Sequence, residues 1–253
     1  MDRFDYYELA VTSAEPLARF LMALHGRGAR VLGEDFSGTA ALSRGWLGLD
    51  RRHRAVAVDL DGPTLVRIPR SLRLAKVQGD VLKVRDKADI IGATNFPVCY
   101  WHTRGELVKY LRHVRSRLNR GGVFVADLYG GPTALVPGRR SKRIPLGPGR
   151  VLHYTWHQRS VDPLTMRVLN SIHFRVSVDG KTVETIRDAF TYDWRLWSIP
   201  ELRDAMSEAG FRSTEVHDRM GAAIDHEGRV HVRAVEEHEI DADFVVYVVG
   251  RRD

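Results

Sequence analysis

The stretch Arg30–Thr64 constrains the fold of this chain more than any other. It contains two short apolar segments, residues 31–32 and 55–58, that are typical of buried strands. Between them lie a small, polar turn and residues 40–49, whose composition favours a helix. An acidic residue, Asp59, follows the second apolar segment directly. This order of strand, tight turn, helix and strand predicts half of a nucleotide-binding α/β unit.

The composition of the first turn indicates which nucleotide such a unit binds. A dinucleotide needs a glycine-rich turn so that its pyrophosphate can approach the helix N-terminus, and this turn has one central glycine, Gly38. An adenosyl ligand without phosphates needs room for a ribose and an amino-acid tail, together with carboxylates for the ribose hydroxyls. Four acidic residues of the stretch would repel a pyrophosphate: Glu34, Asp35, Asp59 and Asp61. This balance favours S-adenosylmethionine (SAM) over NAD.

The same residues resemble the first motif of the class I SAM-dependent methyltransferases, acid-x-Gly-x-Gly-x-Gly. Glu34 takes the acid position and Gly38 the central glycine, whereas Phe36 and Ala40 stand where glycines usually stand. The sequence EDFSGTAALS, followed by AVAVDLD, is more closely similar to a bacterial subgroup whose first motif reads EDFCGTALLS. The resemblance extends from about Phe4 to the C-terminus, and it implies a Rossmann-like α/β fold with a seven-stranded methyltransferase sheet.

Further apolar segments supply the other strands and helices of that sheet. The third to seventh strands are predicted over residues 74–81, 88–95, 123–127, 211–217 and 244–249. Helices are predicted over residues 14–24, 104–118 and 199–210, the last two with capping boxes at Thr103 and Ser198. Two prolines, Pro63 and Pro69, predict that the helix between the second and third strands is short or broken.

The chain changes character before its last third. Residues 151–194 alternate in the manner of antiparallel strands, with a hairpin signal at Asp179-Gly180. Residues 128–148, which are rich in Gly, Pro and Arg, and the charged residues 219–243 predict loops. We therefore expect an N-terminal helical cap over 1–28, a SAM-binding domain over 29–135 and 195–253, and an inserted antiparallel β-rich subdomain over 136–194. By resemblance, such an insert forms a lid over the substrate or the surface of a homodimer.

The resemblance also places the cofactor contacts in the turns after the first four strands. Asp59 would take the ribose hydroxyls, and Asp80 would accept from the exocyclic amine of the adenine. The other predicted cofactor contacts are Glu34, Ser37, Gly38, Thr39, Leu60, Val81, Asn95 and Phe96. Because ligands of an open parallel sheet lie beyond the carboxyl ends of its strands, residues 95–102 would face the transferred methyl group.

SAM carries its own activated methyl group, so the protein has to position a nucleophile and, where needed, remove a proton. Position in the chain alone therefore selects the candidates. The candidate catalytic residues are His102, Tyr100 and Tyr192, and a histidine with a pKa near neutrality is a suitable general base. The candidate substrate-binding residues are Tyr6, Tyr7, Trp101 and Tyr129, with ordinary packing as the alternative role for Tyr6 and Tyr7.

The composition restricts which metals or disulfides the chain could contain and which cellular compartment we expect for it. The single cysteine, Cys99, excludes a disulfide framework and a cysteine-based zinc site, and it suits a reducing cytoplasm. The 11 histidines include no H-E-x-x-H and no paired metal-ligand spacing, so no metal is expected. No signal-peptide pattern and no membrane-length apolar run are present, and we expect a cytoplasmic protein.

Charge leaves two kinds of partner open. A net charge of +7 is compatible with a nucleic-acid partner, with an acidic metabolite or simply with solvated arginines. The densest basic run, residues 138–143, predicts a solvated loop, with contact to an anionic substrate as the alternative. The sequence after the fourth strand, Asn95-Phe96-Pro97-Val98, differs from the Asn-Pro-Pro-Tyr motif of nucleobase-amino methyltransferases.

We predict methyl transfer from SAM to a small-molecule amine or hydroxyl. The first alternative is an RNA or other nucleic-acid methyltransferase. The second is a catalytically inactive SAM-fold binding module, because Phe36 and Ala40 depart from the general motif.

Overall fold

The protein, seen in a computed structural model that describes residues 1–11, 13–26, 28–219 and 222–253, forms two compact units. Its helices are α1 (Arg3–Val11), α2 (Ala14–His25), α3 (Ala41–Leu49), α4 (Gly62–Val66), α5 (Arg104–Arg117) and α6 (Ile199–Glu208). Its strands are β1 (Val31–Asp35), β2 (Arg54–Asp59), β3 (Leu74–Gln78), β4 (Ala88–Ala93), β5 (Leu118–Gly130), β6 (Gly138–Gly147), β7 (Arg150–Asp162), β8 (Arg167–Val178), β9 (Lys181–Arg195), β10 (Ser213–Asp218), β11 (Ala222–Ile224), β12 (Val230–Val232) and β13 (Phe244–Arg251).

A seven-stranded sheet organises the larger unit, which comprises Ser13–Gly130 and Trp197–Asp253. Its strand order is β3-β2-β1-β4-β5-β13-β10. Strands β1 to β5 are parallel, and β13 runs antiparallel to both of its neighbours. The predicted fold class, a Rossmann-like seven-stranded sheet with an inserted antiparallel β-rich subdomain, is confirmed.

Apolar residues on the sheet and on its helices form the core of this unit. Leu32 on β1 and Ile90 on β4 are fully buried, as are Leu21 on α2 and Trp46 on α3. Runs of buried residues along the central strands are expected, because helices cover a parallel sheet on both faces. The ring of Trp46 stacks on His53 at 4.0 Å between ring centroids, which closes the turn from α3 into β2.

The smaller unit comprises Met1–Thr12 and Gly131–Leu196 and is built on a four-stranded antiparallel sheet of order β6-β7-β8-β9. Alternate residues of β7 and β8, such as Leu152 and Val176, face a core that includes Tyr6 and Ala10 of α1. The four-stranded sheet therefore has a covered face, against α1, and an opposite face lined by the intervening residues.

Several local predictions differ from the structure. Residues 138–147, expected in a loop, form β6, and the predicted loop over 219–243 contains the hairpin β11–β12. The sequence did not predict strand β6, because it is an edge strand whose residues are mostly exposed and which therefore has no alternation of apolar and polar residues. The predicted N-terminal cap over 1–28 is divided, since α1 belongs to the smaller unit and α2 to the larger one.

Other boundaries agree closely or shift by a few residues. The capping boxes at Thr103 and Ser198 are present, and the helix with prolines is reduced to the five residues of α4. Strand β3 ends before Asp80, because that side chain caps a short 3₁₀ turn by accepting from the Leu82 amide at 2.9 Å. No helix in the described part of the chain has the length and apolar character needed to cross a membrane.

Candidate functional site

The candidate site lies at the carboxyl ends of the parallel strands in the larger unit. Strand β1 pairs with β2 on one side and with β4 on the other, so the strand order reverses between β1 and β4. The helices that follow these strands leave toward opposite faces of the sheet at such a reversal, which opens a crevice there. The turns after β1 and β4 border this crevice.

The turn after β1 has an unusual main-chain conformation. Three alternate residues, Phe36, Gly38 and Ala40, have positive φ angles of 57°, 51° and 54°. This region costs a residue with a Cβ about 1–2 kcal/mol, and glycine adopts it freely. The positions coincide with the three glycines of acid-x-Gly-x-Gly-x-Gly. The turn therefore has the left-handed conformation at each of these positions, although two of them carry side chains.

Asp59, at the end of β2, holds this turn in place. Its Oδ2 accepts a hydrogen bond from the Gly38 amide at 2.7 Å, and its Oδ1 accepts from the Asp61 amide at 2.9 Å. Each carboxylate oxygen has a second acceptor site, so the group can still accept from ligand hydroxyls. Substituting Asp59 with alanine would remove the anchor of the turn as well as a predicted ligand contact, so we expect that variant to alter the local structure.

Glu34 and Asp35 point into the protein. Glu34 is 6% exposed and accepts from the Ser43 amide at 2.7 Å, and its burial raises its pKa to about 7. Asp35 accepts from Arg117 Nη1 through both oxygens at 2.9 Å and from the Tyr110 hydroxyl at 3.1 Å. The prediction that Asp35 faces the ligand and repels a pyrophosphate is therefore wrong, because a buried guanidinium neutralises it. A cofactor contact by Glu34 stays a prediction.

The ends of β2 and β3 present the other predicted cofactor residues. Leu60 is 72% exposed, whereas Val81, the first residue of the 3₁₀ turn that Asp80 caps, is buried. Asp80 is half-buried, and its carboxylate already accepts from the Leu82 amide. Ser37 is buried, and its amide donates to the Val58 carbonyl at 2.9 Å; Thr39 is half-buried in the same turn.

The turn after β4 also contains two consecutive residues in the left-handed main-chain conformation. Asn95 and Phe96 have φ angles of 69° and 68°, and their amides donate to Asp127 at 2.9 and 2.7 Å. Asp127 lies on β5, is 1% exposed, and has a pKa that burial raises to about 6. Its role in shaping the turn was not predicted, although an acid at the end of an apolar strand was a visible signal. Strained conformations of this kind concentrate at functional sites.

Aromatic rings join the β1 turn to the β4 turn. Phe36 stacks with Tyr100 at 6.2 Å between ring centroids and meets Tyr110 edge-on at 5.8 Å. Trp101 stacks on Tyr110 at 5.3 Å, and its carbonyl accepts from Trp197 Nε1 at 3.2 Å. The phenylalanine at a glycine position of the motif therefore has a packing partner in the facing turn, a contact that the sequence alone did not reveal.

Fourteen of the predicted site residues belong to the larger unit and three to the smaller one. His102 is half-buried before the capping residue of α5, and Tyr129 packs edge-on against Phe96 at 4.9 Å. With the residues described above, they complete the set in the larger unit. The three residues in the smaller unit are Tyr6, Tyr7 and Tyr192.

Each of these three tyrosines packs against other aromatic residues of the smaller unit. Tyr6 is 1% exposed, and its hydroxyl donates to Glu184 at 2.6 Å, so the packing alternative holds for it. Tyr7 contacts the ring of Phe190 at 5.1 Å, and Tyr192 stacks on Trp194 at 4.5 Å. Substrate contacts by Tyr7 and proton transfer by Tyr192 stay predictions.

Comparison with solved structures identifies the fold. The chain superposes on DesVI from Streptomyces venezuelae with a TM-score of 0.71 and 19% identity, covering 100% of this chain and 99% of that one. CalS10, an amino pentose methyltransferase from Micromonospora echinaspora solved with SAM bound, gives a TM-score of 0.72 and 13% identity, covering 100% and 98%. The fold is that of the SAM-dependent methyltransferases.

A third similar structure extends the comparison. The sugar N-methyltransferase KedS8 from a Streptoalloteichus species gives a TM-score of 0.69 and 17% identity over 98% of this chain and 91% of that one. No protein-family model matches the chain, and neither does any curated protein. The similarity to the EDFCGTALLS subgroup therefore stays a prediction.

Proposed function

We propose that this chain is a SAM-dependent methyltransferase that acts on a small-molecule amine or hydroxyl. Proteins of the same fold support the proposal: CalS10 was solved with SAM, and the glycopeptide N-methyltransferase MtfA with SAM, S-adenosylhomocysteine and sinefungin. KedS8 is a sugar N-methyltransferase and CalS10 an amino pentose methyltransferase, so small-molecule acceptors recur among these neighbours.

The observation that carries the proposal is the main-chain conformation of the β1 turn. Replacement of two motif glycines suggested a fold whose cofactor site is lost, yet Phe36 and Ala40 keep the left-handed conformation that glycine would adopt. A turn that retains strained residues at about 1–2 kcal/mol each is being held in that shape by its surroundings. The same turn is anchored by Asp59, and space is open beside the Cα of Gly38. The inactive-module alternative loses its main support.

The residues present fit an adenosyl ligand, which would supply the activated methyl group. Asp59 would accept from the ribose hydroxyls with its remaining lone pairs, and Asp80 from the adenine amine. In the larger unit, His102 and Tyr100 are the candidates to receive a proton from an acceptor amine or hydroxyl, and Trp101 and Tyr129 the candidates to bind its apolar part. A cytoplasmic location and a homodimer complete the proposal.

The test is calorimetric titration of the full chain with SAM, S-adenosylhomocysteine and NAD. We expect binding of both adenosyl ligands and no heat from NAD. In Asp59→Asn, the loss of charge-assisted hydrogen bonds should weaken SAM binding about tenfold or more. Asp86→Asn is the matched control, because Asp86 is exposed at the other end of β4. Binding of NAD, or failure of a folded protein to bind either adenosyl ligand, would reject the proposal.

Acceptor class needs a separate assay. Transfer of labelled methyl groups should be detected with amine or hydroxyl compounds of low molecular weight, and not with RNA. Methylation of RNA, with affinity that falls steeply as salt is added, would replace the small-molecule proposal with the nucleic-acid alternative.

A further inference from the structure

The open face of the four-stranded sheet, on the side opposite to α1, forms a concave hollow of about 560 Å³. Every residue that lines it belongs to the smaller unit. Each strand of the sheet contributes one arginine: Arg139 from β6, Arg159 from β7, Arg175 from β8 and Arg187 from β9. We call this feature the basic hollow. Its volume lies in the range of small-ligand sites, which is roughly 300–1,000 Å³.

The basic hollow has more positive than negative charge. Its single acid, Asp188, forms an ion pair with Arg159. Among the residues that the structure describes, none pairs with Arg139, Arg175 or Arg187 as an ionic partner, and the one side-chain hydrogen bond of Arg175 goes to the Thr182 hydroxyl at 3.1 Å. Three guanidinium groups thus remain available on one concave surface, and their planar N–H forks match the oxygens of an oxyanion.

Histidines contribute a directed chain of hydrogen bonds to the basic hollow. The Asp188 amide can only donate, so His173 accepts it through Nδ1 at 3.0 Å. The Nε2–H of a neutral His173 then donates to Nδ1 of His157 at 3.2 Å. This arrangement leaves the proton of His157 on Nε2, as a donor. His153 lies beside them on β7 with Nε2 at 3.0 Å from the Ser177 hydroxyl. Within the described residues, no group that could hold a metal ion includes these histidines.

Binding of an anion in the basic hollow would change the protonation of these histidines. Burial and the neighbouring arginines lower the pKa of His153 and of His157. Burial also lowers the pKa of His173, and Asp188 opposes that effect. A bound anion would favour protonation of His153, whose Ser177 partner can accept or donate, whereas protonation of His157 or His173 would break the hydrogen bonds that join them. Binding and proton uptake would therefore be coupled first through His153.

We propose that the basic hollow is a binding site for a small, multiply charged oxyanion, such as a phosphate or sulfate group on a ligand. Convergent arginines from four strands and the donor at His157 form a surface rich in donors, with one carboxylate that is already paired. A polynucleotide is a poorer fit, because single strands bind through exposed aromatic platforms. Phe174 lines the hollow but is only 1% exposed, and Tyr154 and Trp156 pack into the core against α1. The proposal is independent of the proposed methyl transfer.

The decisive experiment is titration of the full chain with inorganic pyrophosphate at low ionic strength. We expect one pyrophosphate per chain and at least tenfold weaker binding by the double variant Arg175→Gln/Arg187→Gln. The matched control is Arg70→Gln/Arg120→Gln, which removes the same charge from exposed arginines of the larger unit. The control should bind within about twofold of the unsubstituted protein, since a change of two charges outside the residues that line the hollow alters only the general field. Thermal unfolding verifies that both variants are folded.

The possible outcomes distinguish a specific binding site from nonspecific electrostatic attraction. No saturable binding, or equal loss in the two double variants, would overturn the proposal. Tighter binding of single-stranded RNA than of pyrophosphate, lost in the same Arg175/Arg187 variant, would also overturn it in favour of a polynucleotide surface.

A pH series tests the histidines. Sulfate stays a dianion throughout, so it should bind more tightly at about pH 5 than at about pH 8, because the histidines, whose pKa values are lowered from the ordinary one, protonate toward the acid end of that range. Calorimetry in buffers of different ionisation enthalpy should record proton uptake. Affinity that does not change with pH would overturn the assignment of the histidines to this site.

Discussion

Phe36 and Ala40 adopt a main-chain conformation that residues with a side chain usually avoid. Both lie in the β1 turn, with Gly38 between them in the same conformation. The neighbours compensate for the strain, since Phe36 packs against Tyr100 and Tyr110 and Ala40 is fully buried. A turn of this shape can therefore carry side chains at two positions that favour glycine, because those side chains find partners in the fold.

Substitution of Gly38 by alanine tests whether this turn faces the cofactor. A Cβ at Gly38 would project into open space and meet no atom within 4 Å, so the fold should survive at a cost of about 1–2 kcal/mol for the positive φ. SAM binding should weaken at least tenfold if the cofactor fills that space. Calorimetry of SAM binding is the measurement.

Gly48→Ala provides the matched control for that variant. Gly48 lies in α3, and a Cβ there also meets nothing within 4 Å, but its φ is not positive. Alanine should stabilise the helix by about 0.5–1 kcal/mol and leave SAM affinity unchanged. Equal SAM affinities in the two variants would show that the turn does not contact the cofactor.

Glu34 should make stability depend on pH. Its pKa is raised to about 7 in the folded protein from an ordinary value of 4.5, so the folded state binds its proton more tightly than the unfolded state. The contribution of Glu34 to stability is then fully present below the unfolded pKa and is lost as the pH rises through the folded pKa. Glu34→Gln mimics the protonated form.

The free energy of unfolding of Glu34→Gln, minus that of the unsubstituted protein, should grow by about 3 kcal/mol from about pH 4 to about pH 8. Urea denaturation at several pH values measures this difference. A difference that does not vary with pH would mean that the buried carboxylate is stabilised in its charged form.

Among the elements, α5 is tied to β1 by a buried ion pair. Arg117 and Asp35 have side chains that are 2% and 0% exposed, and their contact lies directly before the β1 turn. Removal of one member leaves the other as an uncompensated buried charge, which costs about 3–5 kcal/mol. Replacement of both removes the penalty.

Arg117→Met should therefore lower the free energy of unfolding by about 3–5 kcal/mol, and adding Asp35→Asn should recover most of that loss. Chemical denaturation of the single and double variants gives both values. If the double variant is as unstable as the single one, the pair contributes through the packing of Arg117 and not through its charge.

The sequence predicted these elements unevenly, for physical reasons. The central strands were visible because burial on both faces gives continuous apolar runs, as in residues 55–58 and 123–127. Strand β6 was not, since an edge strand owes its structure to backbone pairing with β7 and not to a pattern of side chains. The partners of Asp35 and Asp127 were also hidden, because Arg117, Asn95 and Phe96 are distant from them in the chain.

At the scale of the whole molecule, two separate segments of the chain, Met1–Thr12 and Gly131–Leu196, form the smaller unit. Tyr6 on α1 is buried against Phe174 of the four-stranded sheet, at 5.7 Å between ring centroids, although 168 residue positions separate them, the difference between 174 and 6. Periodicity within a short window cannot reveal such a partnership, and α1 was therefore assigned to a cap together with α2.

Tyr6→Ala should destabilise the smaller unit selectively. Loss of a buried aromatic side chain costs about 3–5 kcal/mol, and the cavity lies in the core that α1 shares with β7 and β8. Hydrogen exchange should then quicken in β7 to β9 and stay unchanged in the seven-stranded sheet. Tyr6→Phe is the control, since it keeps the ring and loses only the hydrogen bond to Glu184. Uniform acceleration over the whole chain would show that the two units unfold together.

The position of β13 has a consequence for the order in which the molecule can be assembled. This strand, Phe244–Arg251, lies between β5 and β10 and supplies the antiparallel partner of each. As the ribosome makes the chain, the four hairpin-connected strands β6 to β9 can pair as soon as they emerge, because their partners are adjacent in sequence. The seven-stranded sheet cannot be completed, and one edge of β5 stays unpaired, until residues 244–251 have been synthesised. Nascent chains halted before that point should expose an aggregation-prone edge that the finished protein conceals.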